Sequence, residues 1–377
     1  MGKFTILKDP RVDKKIQLKL DYIVDEILKV IEESDVKAIV LVGSFGRGEG
    51  GVFITDNAVV PVNDFDILIF PKTNVNEFKK KYLSNLHDIA AKCAKMISIK
   101  QIDISVGDKR KFSIRQFSLF YTVNTYEIVR GHYILFGSID LAKMKKAYVH
   151  QKIPLMEGLK YLFTRGSGLL IPLYAQQLKR KIPIDFSYME LNKARLAMGD
   201  SYLIQNKKYH FSYTKRIERA ENLKFDDLPN GAIIKAMYIN ALKWKLKPVS
   251  IDDDYDINGE ITSVVKIFVE YFLFFESYRL KKKFKNILEY LQITASMKRP
   301  LIYHITKSDS FVEKLKIMML LISTFCVEED VESKMLKEAV RRLRYFDESK
   351  FEISWLSCVA KYLNIWHPEG IVKELVK

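Results

Sequence analysis

The chain has 377 residues, 48% hydrophobic and 29% charged, which excludes a disordered polymer and leaves room for roughly two or three domains. Its net charge of +16 favours polyanionic partners, and by count most of that surplus lies beyond residue 139. No apolar run is long enough to span a bilayer, and the polar N-terminus lacks a signal-peptide core, so the expected setting is the cytoplasm, without membrane contact.

Cys93, Cys326 and Cys358 are odd in number, far apart and without metal-ligand spacing, which predicts reduced, buried thiols. Gly2 does not signal myristoylation, because Ile6 stands where that motif needs Ser or Thr.

Taken in order, Lys14 to Glu33 predicts a helix, with Ile16, Leu20, Ile23 and Ile27 on one face. Lys37 to Val42 predicts a strand. A glycine-rich turn follows, Gly43-Ser44-Phe45-Gly46-Arg47-Gly48-Glu49-Gly50. Gly51 to Val62 has the form of a small hairpin around Thr55-Asp56-Asn57, and Asp64 to Phe70 predicts the next strand, stopped by Pro71. Asp64 and Asp66 are two apart, so on a strand they share a face. Val75 to Ile97 predicts a second amphipathic helix. Ile99 to Val106, carrying Asp103, predicts a third strand, and His132 to Phe136 a short one. The order is that of a mixed α/β unit in the first third of the chain.

Helical patterns dominate from Ser138. They run from Ile153 to Leu173, Tyr188 to Ile204, Gly231 to Trp244, Glu260 to Phe275, Tyr278 to Leu291, Val312 to Cys326, Val331 to Tyr345 and Ser354 to Ile365. The expected class is therefore α+β, with a mixed N-terminal sheet and its flanking helices ahead of a mostly α-helical region. The expected domains are 1–139, 140–250 and 251–377, the last two separate or one unit, with the acidic loop Asp252 to Asp256 as the internal boundary.

A glycine-rich turn beside paired carboxylates suits chemistry on a nucleoside triphosphate with bound Mg²⁺. Gly43 and Ser44 offer backbone N–H groups and a hydroxyl to phosphates, and Arg47 a bidentate cation. Burying two same-face carboxylates with no cation costs several kcal/mol, so a purely structural role for Asp64 and Asp66 is disfavoured.

Gly43-Ser44, Arg47-Gly48, Asp64-x-Asp66 and the later Asp103 together resemble the DNA polymerase β-like nucleotidyltransferase superfamily, in its minimal or aminoglycoside type with a helical C-terminal domain. The resemblance covers residues 1–139 at most, and the hairpin-sized insert widens the spacing between turn and pair. It implies the polymerase β-like fold and transfer of a nucleoside monophosphate from an NTP, with ATP first, to a hydroxyl; the lack of a polymerase finger or thumb signature makes a template-independent transfer the expectation. It also implies Asp64, Asp66 and Asp103 as catalytic ligands of two Mg²⁺ ions (Mn²⁺ as a substitute). The acceptor is left open among a small molecule, a protein and RNA or another polyanion.

Three helical residues are further nucleotide-binding candidates. Arg165 precedes Gly166 and Gly168, a spacing that suits close backbone approach, either to a ligand or to a packed helix. Lys193 and Asp200 lie seven apart and share a helix face, suited to a triphosphate and an acceptor or to an ion pair.

Lysines interleaved with aromatics at 143–146, 179–181, 243–247 and 279–285 suit nucleic acid or plain solvated faces. Arg299 and His304 have the Arg-x4-His spacing of HEPN-fold ribonucleases, with Pro300 opposing that likeness. The rival expectation is a nucleotide- or RNA-binding interaction protein, such as a toxin–antitoxin component.

Overall fold

Asp9 and Pro10 start the first helix for local reasons: the Asp9 carboxylate accepts from the Arg11 N–H at 2.8 Å, and Pro10 tolerates the first turn. This is seen in a computed structural model that describes residues 2–55, 58–112, 121–252, 254–296, 308–349 and 352–366. Its contacts divide the chain into two compact units. One is Met1–Pro154 with Lys207–Arg219 and Leu242–Val249; the other is Leu155–Asn206 with Ala220–Ala241 and Ser250–Lys377.

In the first unit, α1 is Pro10–Leu28, β1 is Val36–Val42 and α2 is the single turn Gly43–Gly46. The hairpin strands β2 (Val52–Ile54) and β3 (Val59–Pro61) pair only with each other. Then come β4 (Phe65–Pro71), α3 (Val75–Met96), β5 (Ile102–Val106), α4 (Val123–Arg130) and β6 (Tyr133–Gly137). The main sheet has the order β5-β4-β1-β6. Its β4–β5 pair is parallel and its β1–β4 and β1–β6 pairs are antiparallel.

The central strand β1 is buried at every position but Lys37, as expected where both faces are covered. Ile39, Leu41, Ile67, Ile69, Ile102 and Ile104 share a core with the apolar stripes of α1 and α3. Side chains alternate along a strand, so Asp66 and Asp103 project from the opposite face.

The second unit is helical: α5 (Leu155–Gln177), α6 (Ile184–Gln205), then α7 (Tyr213–Asn222) and α8 (Gly231–Leu246), each of which contributes residues to both units, then α9 (Ile257–Leu280), α10 (Ile287–Ser296), α11 (Ser308–Ser323), α12 (Glu329–Leu343) and α13 (Trp355–Trp366). One apolar core links α5, α6 and α9 with α11 to α13. Gly166 and Gly168 serve packing here. A Cβ on Gly166 would stand 2.6 Å from the Met318 sulfur, and one on Gly168 would stand 2.2 Å from a Glu190 carboxylate oxygen.

The observed class is α+β and mostly helical. The expected break between Phe275 and Tyr278 is not there. Instead α9 runs through to Leu280, because Glu276 is fully buried and bonded to Arg279 and Tyr290, and the helix ends where Lys281 turns left-handed at φ +55°. The charge-rich α7 has no apolar stripe long enough to announce it.

The three cysteines are unpaired, with Cys93 and Cys358 buried and Cys326 half-buried. Burial pushes the Cys358 thiol up to about 12. Among the described residues no helix is long and apolar enough to cross a membrane.

Candidate active site

Strand pairing assembles the acidic group. Asp66 lies inside β4, opposite Asp103 of β5 in the parallel register and opposite Val42 of β1 in the antiparallel one. Asp64 sits two residues before Asp66, just ahead of the strand. Asp103 is exposed, and its carboxylate accepts from the Gln101 side chain at 2.6 Å.

The turn is shaped around Asp66. Gly43 has φ +66°, and a Cβ there would lie 2.0 Å from Asp66 Oδ2. Any larger residue is excluded twice, by backbone conformation and by the carboxylate. Ser44 is buried, and its hydroxyl accepts from the Asn63 amide at 3.3 Å. That bond ties the end of the hairpin to the turn.

Asp66 is pushed up to about 6, first by burial and then by the like charges of Asp103 and Asp64, with Arg47 and Lys245 opposing. Lys245 comes from the Leu242–Val249 segment, which packs against the turn: a Cβ on Gly51 would meet the Lys245 carbonyl at 2.6 Å.

Among the described residues no three metal-ligating side chains converge into a ready-made metal site. The donors still fit a hard divalent cation. They are carboxylate oxygens only, and the repulsion that raises Asp66 is the charge imbalance a dication would offset.

Arg47 leaves the turn inward. Its side chain is 3% exposed, pairs with Glu127 at 3.0 Å and lies over the Tyr213 ring. Burial opposes its charge, but Glu127 and Tyr213 outweigh burial and hold the guanidinium above its ordinary value. Glu127 also receives the Tyr209 hydroxyl at 2.5 Å and the Arg216 guanidinium. Burial works against its ionised form, and Arg47 and Arg216 prevail, holding it below the usual carboxylate range.

Two residues later, Glu49 is fully buried. It accepts from the Ser212 hydroxyl and the Tyr213 N–H at 2.7 Å each, and from the Thr214 N–H and hydroxyl at 3.1 and 3.0 Å. The turn therefore organises the Lys207–Arg219 segment as well as the carboxylates. Glu127, Arg216 and Glu49 were not singled out in the sequence, and Lys245 was read only as part of a lysine cluster. The one local signal was an ionisable Glu49 between glycines, a poor place to leave a charge unpartnered.

The other candidates belong to the helical unit. Arg165 is half-buried on α5. Lys193 pairs with Glu190 at 2.6 Å, and Asp200 is buried, accepting from the Tyr238 hydroxyl at 2.6 Å. Of the lysine clusters, Lys245 reaches Asp66 electrostatically, whereas Arg279 is committed to Glu276. Arg299, Pro300 and His304 lie outside the described residues, as do Asp56, Asn57 and Asp253. No family model, no curated protein and no solved structure matches the chain.

Proposed function

We propose that the chain is a nucleotidyltransferase of the DNA polymerase β-like kind. It transfers a nucleoside monophosphate from an NTP, with ATP as the first candidate, to an acceptor hydroxyl on a small molecule, a protein or RNA. The observation that carries this is Asp66, paired in register with Asp103, pressed so close to Gly43 that a Cβ there would stand 2.0 Å from its carboxylate, and raised by burial and two like charges. A self-repelling group of carboxylates is a poor structural element and a good cation site.

Asp64, Asp66 and Asp103 would hold Mg²⁺, which supplies charge neutralisation and polarisation of the phosphates when bound. The acceptor oxygen forms a bond to the α-phosphorus, the bond from that phosphorus to the bridging oxygen breaks, and pyrophosphate leaves. In this reading the exposed Asp103 carboxylate orients the acceptor hydroxyl and takes its proton. Ser44 offers a hydroxyl to the phosphates. Arg47, already committed to Glu127, acts from behind the turn by drawing Asp66 towards its ionised form.

The test incubates the full chain with labelled ATP, GTP, CTP or UTP, Mg²⁺ and fractionated RNA, protein and small-molecule pools. Pyrophosphate release and a one-nucleotide mass shift on an acceptor are expected. Asp64→Ala and Asp66→Ala should each lower turnover by about 10²–10³ or more, the scale for removing one electrostatic group from a transition-state site. Nucleotide or RNA binding without turnover, unchanged in both variants, would favour a binding protein instead.

A further inference from the structure

A cavity of about 410 Å³ opens in the first unit where the glycine-rich turn, the end of α4 and the loop after β6 meet. None of the three aspartates lines it. Arg47, Arg130 and Lys145 do, with His132, Asp140 and Phe211. Three cations face one carboxylate, and Asp140 is itself paired with Lys143 at 3.1 Å. Ile134, Ile139, Leu141 and Phe211 supply its apolar part.

The cations are available to a ligand in different ways. Arg130 lies in the last turn of α4 and spends its Nε on the Tyr148 carbonyl at 3.0 Å, leaving its terminal nitrogens. Lys145 is exposed and makes no hydrogen bond or ion pair among the described residues. Arg47 spends Nη1 on Glu127, while its buried Nε has no hydrogen-bond partner among the described residues. That nitrogen is out of solvent reach, so Arg47 lends the cavity wall its charge and not a donor.

The cavity is shaped for these groups. A Cβ on Gly131 would stand 2.4 Å from Arg47 Cγ and 3.1 Å from the Phe211 ring, so the glycine admits both. Phe211 stacks on His210 at 4.4 Å and 30°. The surroundings carry surplus positive charge: His150 and His210 are both pushed down to about 4, first by burial and then by Arg219 and other cations.

We infer that this cavity binds a small phosphomonoester, the phosphate held by Arg130 and Lys145, with the buried Arg47 charge behind them, and the organic body laid against Phe211. A volume of about 410 Å³ has room for a free monoester, and arginine with lysine is a donor set suited to its dianion. The site is separate from the carboxylates and does not rest on the transferase reading.

Calorimetric titration of the full chain in EDTA, free of divalent cations, tests it with inorganic phosphate and adenosine monophosphate as probes. Saturable binding of the nucleotide at about 1 mM or tighter is expected, with inorganic phosphate competing more weakly. Lys145→Glu should weaken binding at least about tenfold, and Arg130→Gln should do so while keeping a donor near the Tyr148 carbonyl. Lys143→Glu, off the cavity, should bind as the parent does, and so should Asp66→Asn, which separates this site from the carboxylates. No saturable binding, or equal binding in the parent and Lys145→Glu, would overturn the assignment. So would an RNA hairpin whose binding needs Lys145 while neither small probe binds, which would mark a nucleic-acid surface instead.

Discussion

In the helical unit every buried carboxylate named above has a donor aimed at it. Glu276 takes two nitrogens of Arg279, at 2.5 and 2.8 Å, and the Tyr290 hydroxyl at 2.9 Å. Asp200 takes Tyr238, and Glu190 takes Lys193. In the α/β unit Glu49 and Glu127 are satisfied in the same way, Glu49 within the glycine-rich turn and Glu127 through its salt bridge to Arg47. Asp66 is the exception: its nearest strand partner is another aspartate and its pKa is raised, whereas that of Glu127 is lowered. Satisfied carboxylates hold segments together. One pressed against its own kind has been placed for something else to neutralise it.

The contrast can be broken first at Glu49. Glu49→Ala should destabilise the fold by about 3 kcal/mol, because a fully buried carboxylate with four donors is removed and the donors stay buried. Thermal melting should drop by several degrees. An unchanged melting point would mean that the Lys207–Arg219 segment is not held by the turn.

Asp66 should behave in the opposite sense. Its folded pKa of about 6 exceeds the usual 3.8, so between those values the folded chain binds more protons than the unfolded one. Stability should therefore fall as pH rises from about 4 to about 6, and level off above. Asp66→Asn should remove that slope and raise stability at neutral pH by about 1–3 kcal/mol, while abolishing the transferase activity proposed for the parent. Melting curves across this window decide it, and a variant that keeps the slope sinks the assignment.

The smallest effect belongs to Lys193. Its partner Glu190 is only three residues away on the same helix, and the lysine is partly exposed. Lys193→Ala should cost below about 1 kcal/mol in a denaturant titration, and a larger loss would mean that α6 depends on this charge.

Local pattern was enough for most elements. The α1 and α3 stripes, the strand β1 and the hairpin followed from periodicity, and Pro71 falls where β4 stops. Patterning failed where partners are distant. Glu276 reads as a helix breaker between two apolar runs, yet Arg279 and Tyr290 keep it inside one helix. The α7 helix was hidden by its charges, several of which serve long-range bonds; Arg216, for example, reaches Glu127.

By itself the sequence determined the α+β class, the glycine turn after the first strand, and the three aspartates as the residues to watch. These depend on alternation and on glycine's backbone freedom, which are properties of a few neighbouring residues. The tertiary structure decided that Asp66 and Asp103 stand side by side, that Arg47 turns inward to Glu127, and that Glu49 anchors a segment more than 160 residues away. Strand register and buried ion pairs are set by which surfaces meet, and no local spacing carries that information.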